Sequence, residues 1–208
     1  MKDSNITVTW EVEEDIEKYE SSQFIYETSG DVFIQDGDIQ SGEKLHIAKF
    51  TTYFANCSGA RKERADLLEV FDAHSQNMYE YYAAIYDPRH PRFKQRLQNL
   101  FNWPISGNNL FVVDRLEILP EFRGYGFGLK IIDFLIARLG LGAGLVAIKP
   151  YPLQFETNVG KYDQEWTSKM RLGDLSKNEK QAFKILQDYY SKLGFIKFPK
   201  TPYMVRRV

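Results

Sequence analysis

The residues best suited to chemistry lie where Leu116-Glu117-Ile118-Leu119-Pro120 runs into Glu121-Phe122-Arg123-Gly124-Tyr125-Gly126-Phe127-Gly128-Leu129. Glycines at alternate positions let the main chain turn successive N–H groups toward one point, and a helix beginning there adds the positive end of its dipole. Such a turn suits capture of an anion, with phosphate the expected guest. Two familiar phosphate signatures do not fit. The nucleotide-hydrolase loop needs Gly-Lys-Ser/Thr where Gly128-Leu129-Lys130-Ile131 stands. A dinucleotide fingerprint needs glycine at position 129, which is leucine, and an acid about twenty positions on, where Val146-Ala147-Ile148 lies. The same glycines would also serve a tight, closely packed strand-to-helix turn with no ligand at all.

Arg123, Gly126 and Gly128 do satisfy the pattern Arg/Gln-x-x-Gly-x-Gly/Ala. Downstream, Tyr189-Tyr190-Ser191-Lys192-Leu193-Gly194-Phe195 supplies Tyr-x-x-x-Gly-Phe, with an apolar strand, Leu145-Val146-Ala147-Ile148, in between. In that order the segments resemble the acetyl-CoA-binding core of the GNAT superfamily of N-acetyltransferases. The resemblance covers residues 110–208 well and residues 1–109 poorly. It implies a single α/β (α+β) domain with a mixed, mostly antiparallel sheet of about seven strands, flanking helices and a V-shaped cofactor cleft. It also implies acetyl-CoA as co-substrate, its pyrophosphate held on the backbone of Arg123, Gly124, Tyr125, Gly126, Phe127, Gly128 and Leu129, with Arg123 adding charge. The pantetheine arm would pair with the backbone of Ile118 and Leu119, and Tyr190 would stand where the family places its general acid. An asparagine often found in the family's last helix falls at Phe183 here, and Asn178 is out of register.

Acyl transfer from a thioester to an amine needs a bound donor, a deprotonated amine and a proton for the departing sulfur. A tyrosine of pKa ~10 can protonate a thiolate of pKa ~8.5. Neighbouring helical side chains point about 100° apart, so one of Tyr189 and Tyr190 faces the cleft, and Tyr190 is favoured. For the amine proton, Glu117 is the first candidate base and Asp114 the second. Their odd spacing puts them on opposite faces of a regular strand unless a bulge intervenes. Pairing with Arg115, exposure to solvent, and catalysis by positioning alone are the alternatives. The acceptor is expected to be a primary amine of a small molecule or protein. Glu156, Tyr162, Asp163, Glu165 and Trp166 suit a cationic one. A non-catalytic coenzyme A or acyl-CoA sensor is the rival reading, favoured by Phe183; a scaffold with a merely structural glycine turn is another.

The rest of the sequence bounds these readings. At 208 residues, with 43% hydrophobic and 15% aromatic residues, the chain can bury a sizeable core as one domain. Lys and Arg total 27 against 28 acids, so the net charge of -1 favours neither nucleic acid nor an anionic membrane. One cysteine, Cys57, excludes an internal disulfide. Met1 to Asn5 lacks the apolar core of a signal peptide, and no apolar run is long enough to span a bilayer, so a cytoplasmic protein is expected. His46, His74 and His90 are scattered and no metal motif accompanies them, so no metal is expected; His74 fits a hydrogen-bonded core residue. No Gly-x-Ser-x-Gly elbow is present, and no base stands near Cys57 in sequence.

The elements that must position this chemistry follow from periodicity. Alternation predicts strands at Ile6–Val12, Phe24–Glu27, Val32–Gln35 and Leu45–Phe54, with turns at Asp36-Gly37 and Gly42. Leu67, Phe71, His74, Met78, Tyr81 and Ile85 predict one amphipathic helix from Ala65 to Asp87, ended by Pro88 and Pro91. Its position after the third strand departs from the family's usual order. Its apolar face would serve as core or as a homodimer surface, and the segment as a substrate wall. A strand from Leu110, a helix to Leu139, the 145–148 strand, an irregular 150–177 stretch, a helix over 177–192 and strands at 195–198 and 203–207 complete the expectation.

Overall fold

Alternating side chains build β1 (Asn5–Glu11), with Ile6, Val8 and Trp10 turned toward one core. The computed structural model describes residues 5–11, 21–35, 44–156 and 163–208. Val12, the Asp36-Gly37 turn, Gly42 and Tyr162 lie outside the described residues.

The two short strands expected at Phe24–Glu27 and Val32–Gln35 are one, β2 (Ile25–Gln35), which pairs with β1 and with β3 (Lys44–Ala55) through Ser29-Gly30-Asp31. Gly30 does not interrupt the strand. A Cβ there would stand 2.2 Å from the Thr9 carbonyl oxygen and 2.7 Å from the Phe50 ring, so the absent side chain is what lets these groups close over the strand. Gly30→Ala is therefore expected to cost about 1–3 kcal/mol. In a thermal melt this is a fall of roughly 2–4 °C per kcal/mol; an unchanged melting temperature would show that β1 and Phe50 spread at no cost.

Asn56 caps α1 (Cys57–Lys62), whose N-terminal Gly59 N–H bonds the Asn56 side chain. The single long helix expected from Ala65 to Asp87 is broken at Ser75, giving α2 (Leu67–His74) and α3 (Gln76–Ile85). Ser75 is extended (φ -172, ψ 156); its N–H closes α2 on Phe71 and its hydroxyl accepts from Met78 N–H to cap α3. Serine competes with the helix for these bonds, so a cap replaces continuity. The apolar stripe survives the break: Leu67, Phe71, Met78, Tyr81 and Ile85 are all buried in the core, so this face is spent on the protein's own sheet. His74 bonds Ser75 (3.2 Å) and meets Tyr53 edge-on, and burial lowers its pKa.

A short hairpin, β4 (Tyr86–Asp87) and β5 (His90–Phe93), and α4 (Gln95–Gln98) lead to β6 (Leu110–Ile118). Next come α5 (Phe127–Leu139), β7 (Leu145–Ile148), α6 (Gln164–Lys169), α7 (Glu179–Ser191), β8 (Ile196–Lys197) and β9 (Met204–Arg207). The 150–177 stretch is thus not wholly irregular, since α6 and two 3-10 turns occupy it.

The fold is a mixed α/β arrangement on a seven-stranded sheet ordered β1-β2-β3-β6-β7-β9-β8, antiparallel except where β7 runs parallel to β6. The α5 crossover makes that parallel step possible. Helices α1 to α4 cover one face, against Val112, Leu145, Ala147 and Val205. Buried Ile131, Ile132, Leu135 and Ile136 of α5 cover the other, against Phe111, Val113, Val146 and Ile148. No described helix is long and apolar enough to cross a membrane.

Candidate functional site

Strands β6 and β7 part company midway. Their last paired rung is Val113 with Ile148, yet β6 continues to Ile118, held on its other side by β3. Beyond Val113 the β7 side of β6 is therefore an open strand edge, with main-chain groups available to an extended guest. At the point of parting, β6 carries a bulge: Arg115 lies opposite Thr51 and Val113 opposite Thr52, leaving Asp114 as the extra residue. The condition for Asp114 and Glu117 to share a face is met. Both reach the side on which α3 and α6 lie, Asp114 accepting from Asn77 (2.7 Å) and Glu117 from the Trp166 indole N–H (2.6 Å).

Their surroundings reverse the order expected from sequence. Glu117 has both oxygens engaged, one by Arg115 Nε (2.5 Å) and one by Trp166, while Arg115 forks onto Glu156 at 3.0 and 2.7 Å. A carboxylate so held is a positioned anion. Asp114 accepts one bond, and burial pushes its carboxyl above the ordinary range despite the opposing Asn77 bond. Asp114 is the better poised proton acceptor.

A tray opens beside these residues on the same face of the sheet. Two rungs cross four strands, Glu11–Ser29–Thr51–Arg115 and Thr9–Asp31–Lys49–Glu117, and line a cavity of about 490 Å³. Its rim carries Lys49 bonded to Asp163 (2.7 Å), with the Lys49 ammonium 5.0 Å from the Trp166 ring centroid. Glu156, Asp163 and Trp166 were expected near a site; the contribution of β1 and β2 was not, because cross-strand register is invisible in local sequence.

The glycine turn follows the open edge. Leu119 N–H bonds the Ile47 carbonyl (2.9 Å) and the Leu119 carbonyl accepts from Phe122 (2.9 Å), so both groups expected to pair with a guest are used within the protein. Successive residues of a strand face opposite edges, so Ile118 is the one turned to the opening, although Arg123 already occupies its carbonyl. The Arg123 side chain also departs from expectation: Nε bonds the Ile118 carbonyl (2.8 Å) and Nη2 the Met170 carbonyl (2.8 Å). It braces the turn instead of presenting charge to a phosphate. Gly124 and Gly126 take left-handed φ of 83 and 80, and a Cβ on either would meet nothing within 4 Å. Gly128 has a different use. It is helical, and a Cβ there would stand 2.4 Å from the Tyr189 hydroxyl, so it admits α7 close to α5.

Among the described residues, the N–H groups of Gly124, Tyr125, Gly126, Phe127 and Gly128 have no protein acceptor, and no side chain caps α5. Leu129 N–H is directed at the Tyr189 hydroxyl. The adjacent tyrosines thus divide. Tyr189 reaches the turn, whereas Tyr190 packs toward the interior against Phe195 (centroids 6.3 Å) and the core that α5 covers. Burial, then Tyr189, pushes the Tyr190 phenol above its ordinary value. Phe183 packs edge-on to Tyr151, and Asn178 caps α7 by accepting from Gln181 (3.1 Å), so neither presents an amide to the opening.

Other reactive types are accounted for. Cys57 is buried against the Tyr86 hydroxyl (3.1 Å), and burial pushes its thiol up to about 12. Among the described residues no group of three His, Cys, Asp or Glu is placed to hold a metal ion. Asn77, the partner of Asp114, and Tyr81 and Tyr203 nearby carried no sequence signal beyond helix and strand periodicity. No family model matches the chain, no curated protein matches it, and no solved structure matches it.

Proposed function

We propose that the protein is an acetyl-CoA-dependent N-acetyltransferase of the GNAT type, acting on a primary amine of a cationic acceptor. One observation carries the reading: β6 leaves β7 past Val113 and Ile148 to make an open edge that ends at a turn of unengaged amides. An extended pantetheine would lie along that edge beside Ile118, its pyrophosphate on the amides from Gly124 to Gly128. Its thioester would then reach the bulge at Asp114.

The chemistry follows from what surrounds that point. Asp114, whose affinity for a proton is raised by burial, takes the proton of the incoming ammonium. The amine nitrogen bonds the carbonyl carbon, the C–S bond breaks, the thiolate takes the Tyr190 proton, and the second proton shed by the nitrogen as the amide forms restores the phenol. The acceptor would rest on the tray, where Glu11, Asp31 and Glu117 outnumber Lys49 and Arg115. The rival reading, a coenzyme A sensor, draws support from Arg123 being turned onto carbonyls and from Phe183.

The test is incubation of the purified chain with acetyl-CoA and a panel of monoamines, polyamines and lysine-rich peptides, scored by thiol release and by melting temperature. Cationic acceptors should release thiol and coenzyme A should raise the melting temperature. Coenzyme A binding without turnover on any amine would favour the sensor, and no thermal shift would remove the donor site altogether.

A further inference from the structure

Tyr81 stands on α3, wholly buried, its ring against that of Tyr203 (centroids 4.4 Å). Among the described residues its hydroxyl is the one buried side-chain polar atom without a hydrogen-bond partner. It lies beneath the point where β6 and β7 part. Asp114, the first residue of β6 beyond the Val113–Ile148 rung, and Lys149, which directly follows β7, both neighbour it, as do Tyr190 and Tyr203. The Lys149 N–H approaches the oxygen without reaching hydrogen-bond geometry, and Asp114 is turned to Asn77 (2.7 Å), so the phenolic proton has no acceptor. A buried donor left unmade is costly and calls for an explanation, a catalytic role among them. Burial keeps this phenol protonated at neutral pH, so its O–H is available as a donor.

We propose that Tyr81 is a catalytic residue whose O–H donates to the thioester carbonyl oxygen of bound acetyl-CoA and to the oxyanion formed on attack. This rests on the acetyltransferase reading. As the amine nitrogen bonds the carbonyl carbon, the π electrons pass to oxygen, which Tyr81 stabilises while keeping its own proton. When the tetrahedral centre collapses the electrons return, the C–S bond breaks and the thiolate departs. A donor fixed in a site closed to bulk water costs no reorganisation at that moment.

The experiment is isotope-edited infrared spectroscopy of acetyl-CoA labelled with carbon-13 at the carbonyl, bound to the wild-type chain and to Tyr81→Phe, with calorimetry of coenzyme A alone. The carbonyl band should lie at lower frequency in the wild type than in the variant, coenzyme A affinity should be equal, and turnover should fall by about 10²–10³-fold in the variant. A band at the same frequency in both, with coenzyme A bound, overturns the role of Tyr81 and leaves the acetyltransferase reading standing. Failure of coenzyme A to bind the wild type removes both. The Phe variant keeps the ring and loses only the unpaired donor, so its melting temperature should be equal or higher. Should it fail to fold, fluorotyrosine at position 81, a stronger donor, must lower the band further, and an unmoved band overturns the proposal.

Discussion

Asp114→Asn is expected to lower turnover by about 10²–10⁴-fold while raising stability at neutral pH. The two effects share one cause. The Asp114 carboxyl sits at the bulge of β6, where burial favours its neutral form and thus raises its pKa in the folded state. The folded protein then binds this proton more readily than the unfolded chain does. Its contribution to stability is complete below the unfolded pKa and is lost as pH rises through the folded one. Asparagine has nearly the same shape, can still accept from Asn77, and never ionises. Melting temperatures of variant and wild type should therefore coincide in acid, with the variant gaining as pH rises across that window. Loss of the amine's proton acceptor accounts for the turnover. A variant that melts lower than wild type at neutral pH would show that the ionised carboxylate is well satisfied, and full activity would remove Asp114 from the chemistry.

The parts of this architecture written locally were legible, and those that depend on distant partners were not. Alternation in Ile6 to Trp10, the apolar repeat of α5 and the turn through Gly124 and Gly126 each follow from a few consecutive residues. The gap expected between two short strands and the unbroken helix expected through Ser75 were both misread for the same reason in opposite directions. Gly30, inside that gap, continues β2 because Thr9 and Phe50 need the space, and Ser75 breaks the helix because its hydroxyl caps the next one. Within the site, Asp114 and Glu117 were visible as residue types, but their roles depend on Asn77, Arg115, Glu156 and Trp166, which reach them across long sequence separations. The inward turn of Arg123 depends likewise on the carbonyl of Met170, well beyond any motif window.

Tyr190→Phe should lower kcat by about 10²–10⁴-fold, with coenzyme A affinity unchanged. The departing thiolate has a pKa ~8.5 in water and tyrosine one ~10, so proton transfer is close to balanced. Burial raises the Tyr190 phenol, which weakens it as an acid. The same low-polarity surroundings raise the basicity of the thiolate, so the difference between donor and acceptor is largely preserved. Two consequences separate this role from packing. First, because the phenol stays protonated above its ordinary pKa, wild-type kcat should show no alkaline decline through pH 9; a decline in that range, absent from the Phe variant, would contradict the buried, protonated state. Second, Tyr189→Phe should give the opposite kinetic signature, because its hydroxyl meets Leu129 N–H and Gly128 at the turn and lies apart from the bulge. Coenzyme A should bind it about 10–100-fold more weakly with kcat retained, since one hydrogen bond at a charged ligand contributes about 1.5–3 kcal/mol. If removing either neighbouring hydroxyl lowers kcat equally, then neither is the proton donor and both act by packing α7 against α5. If neither matters, thiolate departs without a dedicated acid and rate enhancement must come from the oxyanion side of the thioester.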